Sequence, residues 1–221
     1  SADINNLPLL RALGKTKKPV LVSSGASSII EIKKALKILK KNGAKDVCVM
    51  HCILNYPTKN IDANLGMIKS LKKNFPNNVI GYSDHTLPDK YMSSLVQAYS
   101  LGAEIFEKHF TDNKSQKGND HYHSMDFRDI KVFKSLSNIF KLKLGNFEKK
   151  PIRSELKSIR FARRSIYSNK KIEKGEKINA DHIICKRPGL GISPMSWDKV
   201  LGKVSKITIP EDKPIRWKFL K

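Results

Sequence analysis

Hydrophobic runs approaching the roughly 20 residues that cross a bilayer are missing from this 221-residue chain, and no charged segment followed by an apolar one opens it. Neither a membrane span nor a secretory leader is expected. Cysteine is scarce: there are three, two of them in "VCVMHC" (Cys48, Cys52), too few for a disulfide framework, so a reducing cytoplasm is the expected compartment. Arginine is scarce beside lysine, which supplies 35 of the 43 basic residues. The formal charge of +23 would ordinarily raise nucleic-acid binding. Here the lysines are spread over the polar faces of helical patterns such as "EIKKALKILKK", and Arg clusters interleaved with aromatics are absent. Nucleic acid is therefore not the expected partner, although such a surface attracts small phosphorylated substrates. No G-x-G-x-x-G phosphate loop occurs, and the chain starts at Ser1 without Met, inside what reads as a structural unit.

What is present is a rhythm. "PVLVSS" (19–24) reads as a strand, followed by a helix with a Ser28/Glu31 capping box, an Ile29, Ile32, Leu36, Leu39 stripe and an Asn42-Gly43 stop. Next come a strand at 47–53, a helix around "NLGMIKSLKKNF", the strand "NVIGY" (78–82) and a helix opened by Pro88. The strand "AEIFEKHF" (103–110) and the helix "DFRDIKVFKSLSNIFKLKLG" complete the series, while "SADINNLPLLRALG" reads as the tail of an earlier unit. Continuously apolar strands separated by helices predict a parallel α/β sheet, either doubly wound or a (β/α)8 TIM barrel. Every strand carries polar chemistry at its C-terminal tip: Ser23 and Ser24, His51 and Asn55, then "SDHT" (83–86), then Glu107, Lys108 and His109. A barrel gathers such tips around one mouth, which favours the last four units of a barrel, with the first half expected upstream. The predicted division is a half-barrel at 1–146, a charged linker at 147–158 and a small, mostly β domain at 159–221 built from "RRSIYS", "HIICKRP" and "KVSKITIP".

His85 and His109, at the tips of consecutive strands, become neighbours across such a mouth, with Asp84 and Glu107 close by. Two imidazoles with carboxylates suit a divalent ion such as Mn²⁺, or Zn²⁺ with less geometric support; solvated strand-end histidines are the plain alternative. "SSGAS" (23–27) ahead of a helix is a phosphate cradle or an ordinary cap. The loop "KGNDHYHSMD" (117–126), with Asp120, His121 and His123, is a substrate lid or a polar loop. Arg187 leads a Pro-Gly turn that could clamp an anion or amide.

In order, "SADINNLPLL", "LVSSGAS", "MHCILNYPT", "GYSDHT", "EKHFTDNKSQKGNDHYHSMD", "RRSIYSNKKIEKGEKI" and "CKRPGLGISP" resemble the sialic acid synthase family, enzymes that condense phosphoenolpyruvate with a sugar to make N-acetylneuraminate, legionaminate or pseudaminate. The last two segments resemble the antifreeze-like (SAF) domain that follows the barrel in that family. The resemblance implies that His85 and His109 bind a metal, usually Mn²⁺, with Mg²⁺ or Co²⁺ as substitutes. It implies that Ser1, Ser23 and Ser83 hold phosphoenolpyruvate, with Tyr56 beside the pyruvyl group and Asn55 a weaker match because Leu54 stands where the family often has Asn. Glu107, Asp3 and Asp120 match acidic residues around sugar and metal, Asp3 standing where Glu is usual. Phe161 and Arg187 match residues that cover the partner's sugar site in a domain-swapped homodimer. The implied chemistry is attack of the phosphoenolpyruvate C3 on the open-chain aldehyde of an N-acylated hexosamine, with Glu107 or Asp3 orienting the water that then adds at C2 as phosphate leaves. Residues of the first strands are absent, so this stretch alone is expected to be inactive. A non-catalytic carbohydrate-binding remnant is the reading from another class.

Overall fold

Helix α1 (Leu7–Lys15) opens the structure behind the N-cap Asn6, whose side chain accepts from the Leu9 N–H, and Pro8 fits the first turn, where a missing N–H costs nothing. The computed structural model describes residues 1–118 and 120–221, in two units, Ser1–Asn146 and Phe147–Lys221. In the first, α1 is followed by β1 (Val20–Ser23), α2 (Ile29–Lys41), β2 (Val47–Cys52), α3 (Met67–Asn74), β3 (Ile80–Asp84), α4 (Ser93–Ser100), β4 (Ile105–Lys108) and α5 (Phe127–Leu144). The four strands form one parallel sheet in the order β1-β2-β3-β4. Every strand pairs with the next in sequence, Val22 with Val49, Val49 with Ile80 and Gly81 with Ile105, and the order never reverses as a doubly wound sheet requires. This is the wall of a half-barrel.

Local chemistry explains the elements. The Ser28 hydroxyl accepts from the Glu31 N–H (3.3 Å) while Glu31 accepts from the Ser28 N–H (2.8 Å), a complete capping box. Ile32, Ala35, Leu36 and Leu39 of α2 are buried against the sheet, and all six residues of β2 are buried, as a parallel strand covered on its faces requires. Gly81 is a packing necessity, since a Cβ there would lie 2.8 Å from the Ile105 carbonyl oxygen.

Two expectations change. The helix predicted to open at Pro88 begins at Ser93; the intervening turn is held by Asp89, whose side chain accepts from the Tyr91 (2.8 Å) and Ser93 (3.1 Å) N–H groups. The stretch read as a linker carries a 3-10 turn (Arg153–Glu155) and helix α6 (Leu156–Phe161), with the Glu155 carboxylate accepting from the Ile152 N–H (2.9 Å).

In the second unit β5 (Ser165–Ser168) pairs antiparallel with β6 (Ile183–Lys186), and the short helix α7 (Trp197–Val200) follows. The "KVSKITIP" run forms separate bridges, Lys177 to Val204, Ser205 to Leu220 and Ile172 to Ile209, around a core of Ile166, Ile172, Ile178, Ile183, Ile192, Val200, Ile209, Ile215 and Leu220.

Candidate active site

The tip of β3 is fully engaged at Asp84, which is 2% exposed. Its Oδ1 accepts from the Tyr82 hydroxyl (2.8 Å) and the Thr86 N–H (2.8 Å), and its Oδ2 accepts from Lys108 Nζ (2.8 Å). Lys108 donates again to the Thr86 carbonyl (2.6 Å) and is as buried as its partner. A buried ammonium persists only where a carboxylate and further acceptors replace water. Asp84 is thus an anchor that fixes β3 against β4. Burial, then the Asp84 charge, pushes the Tyr82 phenol far up, so it stays a donor.

His85 follows, and its Nδ1 lies 2.8 Å from the Ile53 carbonyl oxygen. A carbonyl only accepts, so Nδ1 carries a proton, and in the neutral ring Nε2 has the lone pair that a metal ligand needs. The His109 ring meets His85 edge-on with centroids 5.2 Å apart, and His123 lies 5.1 Å from His109. Tyr56 packs against all three, at 4.1 Å from His85, 5.7 Å from His109 and 6.2 Å from His123. Asp120 reaches in from the loop, its two oxygens 3.6 Å from His109 Nδ1 and 3.8 Å from His123 Nε2. One donor atom each from His109, Asp120 and His123 falls within 4.8 Å of the others. Among the described residues, the 1%-exposed His123 has no hydrogen-bond partner for either ring nitrogen. The neighbouring His121 is occupied by Thr111, Nδ1 to Oγ1 2.7 Å.

Titration follows these contacts. Burial is the largest influence on His85 and acts downward, but the bonds to Cys52 and the Ile53 carbonyl and the charges of Cys52 and Asp84 together hold it above its ordinary value. Burial likewise pushes Cys52 up, and bonds with His85 and Ser1 reverse it to a net lowering. Burial and then the His109 charge lower His123, favouring the neutral imidazole.

The remaining residues fall into smaller groups. Ser83 donates to Glu107 Oε1 (2.6 Å) across the register pair that joins β3 to β4. Ser1 Oγ accepts from the Gly25 N–H (3.1 Å) and lies 3.4 Å from Cys52 Sγ; a Cβ on Gly25 would stand 2.8 Å from that hydroxyl, so glycine is required for the approach. Ser23 is half-buried at the β1 tip, while the Ser24 hydroxyl is spent on the Met50 carbonyl (2.8 Å). Asp3 is exposed and accepts from Asn6 Nδ2 (3.0 Å) in the turn before α1. Asn55 is exposed, its carbonyl accepting from the Thr58 hydroxyl (2.9 Å). Phe161 and Arg187 belong to the second unit and are exposed, Phe161 with the Arg160 guanidinium 5.4 Å from its ring centroid. Sequence reasoning missed Lys108 as Asp84's partner and Cys52 as a neighbour of Ser1 and His85. It noted His123 without a role, and the H-Y-H spacing beside Asp120 was the available signal.

Imidazole nitrogens and one carboxylate, partly shielded from water, are the donor set of a divalent transition-metal ion. The unpaired nitrogens of His123 and the free Nε2 of His85 fit such an ion.

Known proteins share this frame. Residues 1–149 match the NeuB family and residues 163–221 the SAF domain. The N,N'-diacetyllegionaminic acid synthase of Campylobacter jejuni is 37% identical over 98% of this chain and 64% of its own length. The crystal structure of N-acetylneuraminic acid (sialic acid) synthetase from Leptospira borgpetersenii, in complex with citrate, aligns with a TM-score of 0.65 at 34% identity, covering 72% of this chain and 54% of that one. A Chromobacterium violaceum protein provisionally assigned as spore coat polysaccharide biosynthesis protein E aligns with a TM-score of 0.83 at 26% identity, covering 100% of this chain and 66% of that one. The chain spans 62–64% of the length of the curated relatives it matches most fully. With strand order, tip chemistry and both family matches in agreement, the chain belongs to the NeuB family and carries a SAF domain after its half-barrel.

Proposed function

We propose that the protein is a nonulosonate synthase, condensing phosphoenolpyruvate with the aldehyde of an N-acylated hexosamine to give a nine-carbon 2-keto acid. The observation that carries this reading is the convergence of His85, His109 and Asp120 around Tyr56 beside the Ser83–Glu107 pair. The reaction balances with one water: a bond forms between C3 of phosphoenolpyruvate and the aldehyde carbon, water adds at C2, the aldehyde oxygen gains a proton, and phosphate leaves. A divalent ion, Mn²⁺ in our reading, would supply Lewis-acid polarisation of the aldehyde oxygen. His85 and His109 would hold it, and Asp120 would bind sugar or metal. Ser83, Ser1 and Ser23 offer hydroxyls to the phosphate and carboxylate, and the Gly25 N–H adds a backbone donor at the Ser1 corner. Glu107, exposed and already accepting from Ser83, is the base for the attacking water, with Asp3 as the second carboxylate.

The acceptor is N-acetylmannosamine or a 2,4-diacetamido-trideoxyhexose; likeness to a diacetyllegionaminic acid synthase over nearly the whole chain supports the second. The exposed Phe161 and Arg187 suit residues that cover a partner's sugar in a domain-swapped homodimer. Three free thiols suit work in a reducing cytoplasm. The deciding assay measures phosphate release by the complete protein with phosphoenolpyruvate, Mn²⁺ and each sugar. Release that depends on one sugar and vanishes in His85→Ala is expected; release that needs no sugar, or persists in the variant, overturns the reading. In the same assay a mixture of inactive His85→Ala and Arg187→Ala subunits regains activity if the homodimer is swapped, and stays inactive if it is not.

A further inference from the structure

His123 is the buried polar group that the proposed reaction leaves without a task. Its ring is 1% exposed and, among the described residues, neither nitrogen has a hydrogen-bond partner. Leaving a polar group in that condition is costly, so a buried histidine normally has a partner for at least one ring nitrogen. His51 bonds the Ala63 carbonyl through Nε2, and His182 of the second unit accepts from the Asn179 N–H at Nδ1 (3.1 Å) with Nε2 3.1 Å from the Glu176 carboxylate. His123 instead faces the rings of His109, Tyr56 and Tyr122 and the carboxylate of Asp120.

We propose that His123 is a third imidazole ligand of the divalent ion held by His85 and His109, with Asp120 as the oxygen donor of the same centre. The inference rests on the metal-dependent reading above and adds a ligand to it. The separations of 3.6 and 3.8 Å from the Asp120 oxygens to His109 Nδ1 and His123 Nε2 are too long for hydrogen bonds. They approach the ~3–3.5 Å expected between neighbouring donors around one ion with bonds near 2.1 Å. His85 adjoins this group through its ring contact with His109, and its Nδ1–H is spent on Ile53, so Nε2 is the nitrogen left to ligate. Three nitrogens and one oxygen form a more nitrogen-rich set than two imidazoles with waters. Such a set raises affinity for Co²⁺ and Zn²⁺ relative to Mn²⁺, because imidazole suits the later ions while carboxylate and water suit Mn²⁺.

The test uses the complete protein loaded with Mn²⁺ alone, with no substrate, and counts coupled imidazole nitrogens by pulsed electron paramagnetic resonance. Three are expected; two in the wild type overturn the proposal without any variant being made. His123→Phe, which fills the same space without a donor, should show two nitrogens and bind Mn²⁺ at least about 10-fold more weakly in a calorimetric titration. His123→Gln serves if the phenylalanine variant does not fold. Wild-type affinity and nitrogen count in the variant refute the role of His123. Loss of binding in His85→Ala together with unchanged binding in His123→Phe leaves the proposed function standing and removes only this inference. Failure of the wild type to bind Mn²⁺ removes both.

Discussion

The half-barrel and the SAF domain both bury polar side chains, but they satisfy them differently. At the barrel mouth, beside main-chain bonds such as Ser24 to Met50, a network runs from side chain to side chain: Tyr82 and Lys108 to Asp84, and Ser83 to Glu107. In the SAF unit the buried serines run to main chain: Ser165 to the Pro188 carbonyl, Ser168 to Pro210 and Ser205 to Ile207. A main-chain acceptor cannot be exchanged for a ligand without moving the fold, so those serines are architecture. A side chain can turn from its neighbour to a substrate at the cost of one rotamer. The cores differ in the same sense. Seven of the nine buried residues in the SAF core are isoleucine, whose stiff side chains suit short, bridge-built strands, while the barrel core mixes Leu, Ala, Val and Ile over helices and sheet.

The largest expected effect separates anchor from reagent at the mouth. Asp84→Ala removes three hydrogen bonds and leaves the Lys108 ammonium buried and unpaired, a loss of about 3–5 kcal/mol. Hydrogen exchange at the amides of β3 and β4 would register it. Adding Lys108→Met should restore most of the loss, because the stranded charge then disappears. A single-variant loss below about 1 kcal/mol would show that the pair does not hold the two strands together. A smaller effect is expected in the SAF unit. Ser165→Ala deletes the bond donated to Pro188 (2.9 Å) and the one accepted from the Gly191 N–H (3.0 Å), costing about 1–3 kcal/mol. Both tryptophans of the chain, Trp197 and Trp217, lie in this unit, so fluorescence-detected unfolding reads it directly. Mn²⁺ affinity should not move. A Ser165→Ala variant that weakened Mn²⁺ binding would break the contrast between the two regions.

Much of the barrel was legible because its signals are local. Strand–helix alternation, the Ser28/Glu31 box and polar tips after apolar runs all lie within a few residues of one another, and the sheet order follows from them. The His85–His109 approach was legible for the same reason, since consecutive parallel strands must place their tips side by side. What was not legible depends on three-dimensional partners. Asp84 reads equally well as a turn residue until Lys108, 24 positions later, is seen beneath it. The Pro88 signal lost to an Asp89 turn that only the folded structure reveals. His123 gave no sign of its burial, because a loop histidine in a Gly- and Asp-containing segment is usually solvated.

The smallest expected effect concerns His51, which is buried on β2 with Nε2–H donating to the Ala63 carbonyl (2.8 Å) and its ring stacked on Tyr82 at 5.6 Å. Burial, the larger influence, lowers its pKa from the ordinary 6.5, and the Ala63 bond only partly opposes this. The folded state therefore binds a proton less readily than the unfolded chain does. The stability tied to the neutral ring is complete above 6.5 and is lost as pH falls through the lower folded value. His85 is shifted upward and acts in the opposite direction, so total stability against pH would mix the two. The difference between wild type and His51→Gln isolates the His51 contribution, since glutamine keeps a donor for Ala63 but does not titrate. In metal-free protein this difference, read by hydrogen exchange in β2, should stay level above about pH 7 and shrink as pH falls from about 6.5 to about 5.5, while the tryptophan transition of the SAF unit stays unaffected by the substitution. Parallel profiles for the two proteins would mean that His51 does not titrate against folding, and that burial at the mouth is as inert to protons as the serines of the SAF core.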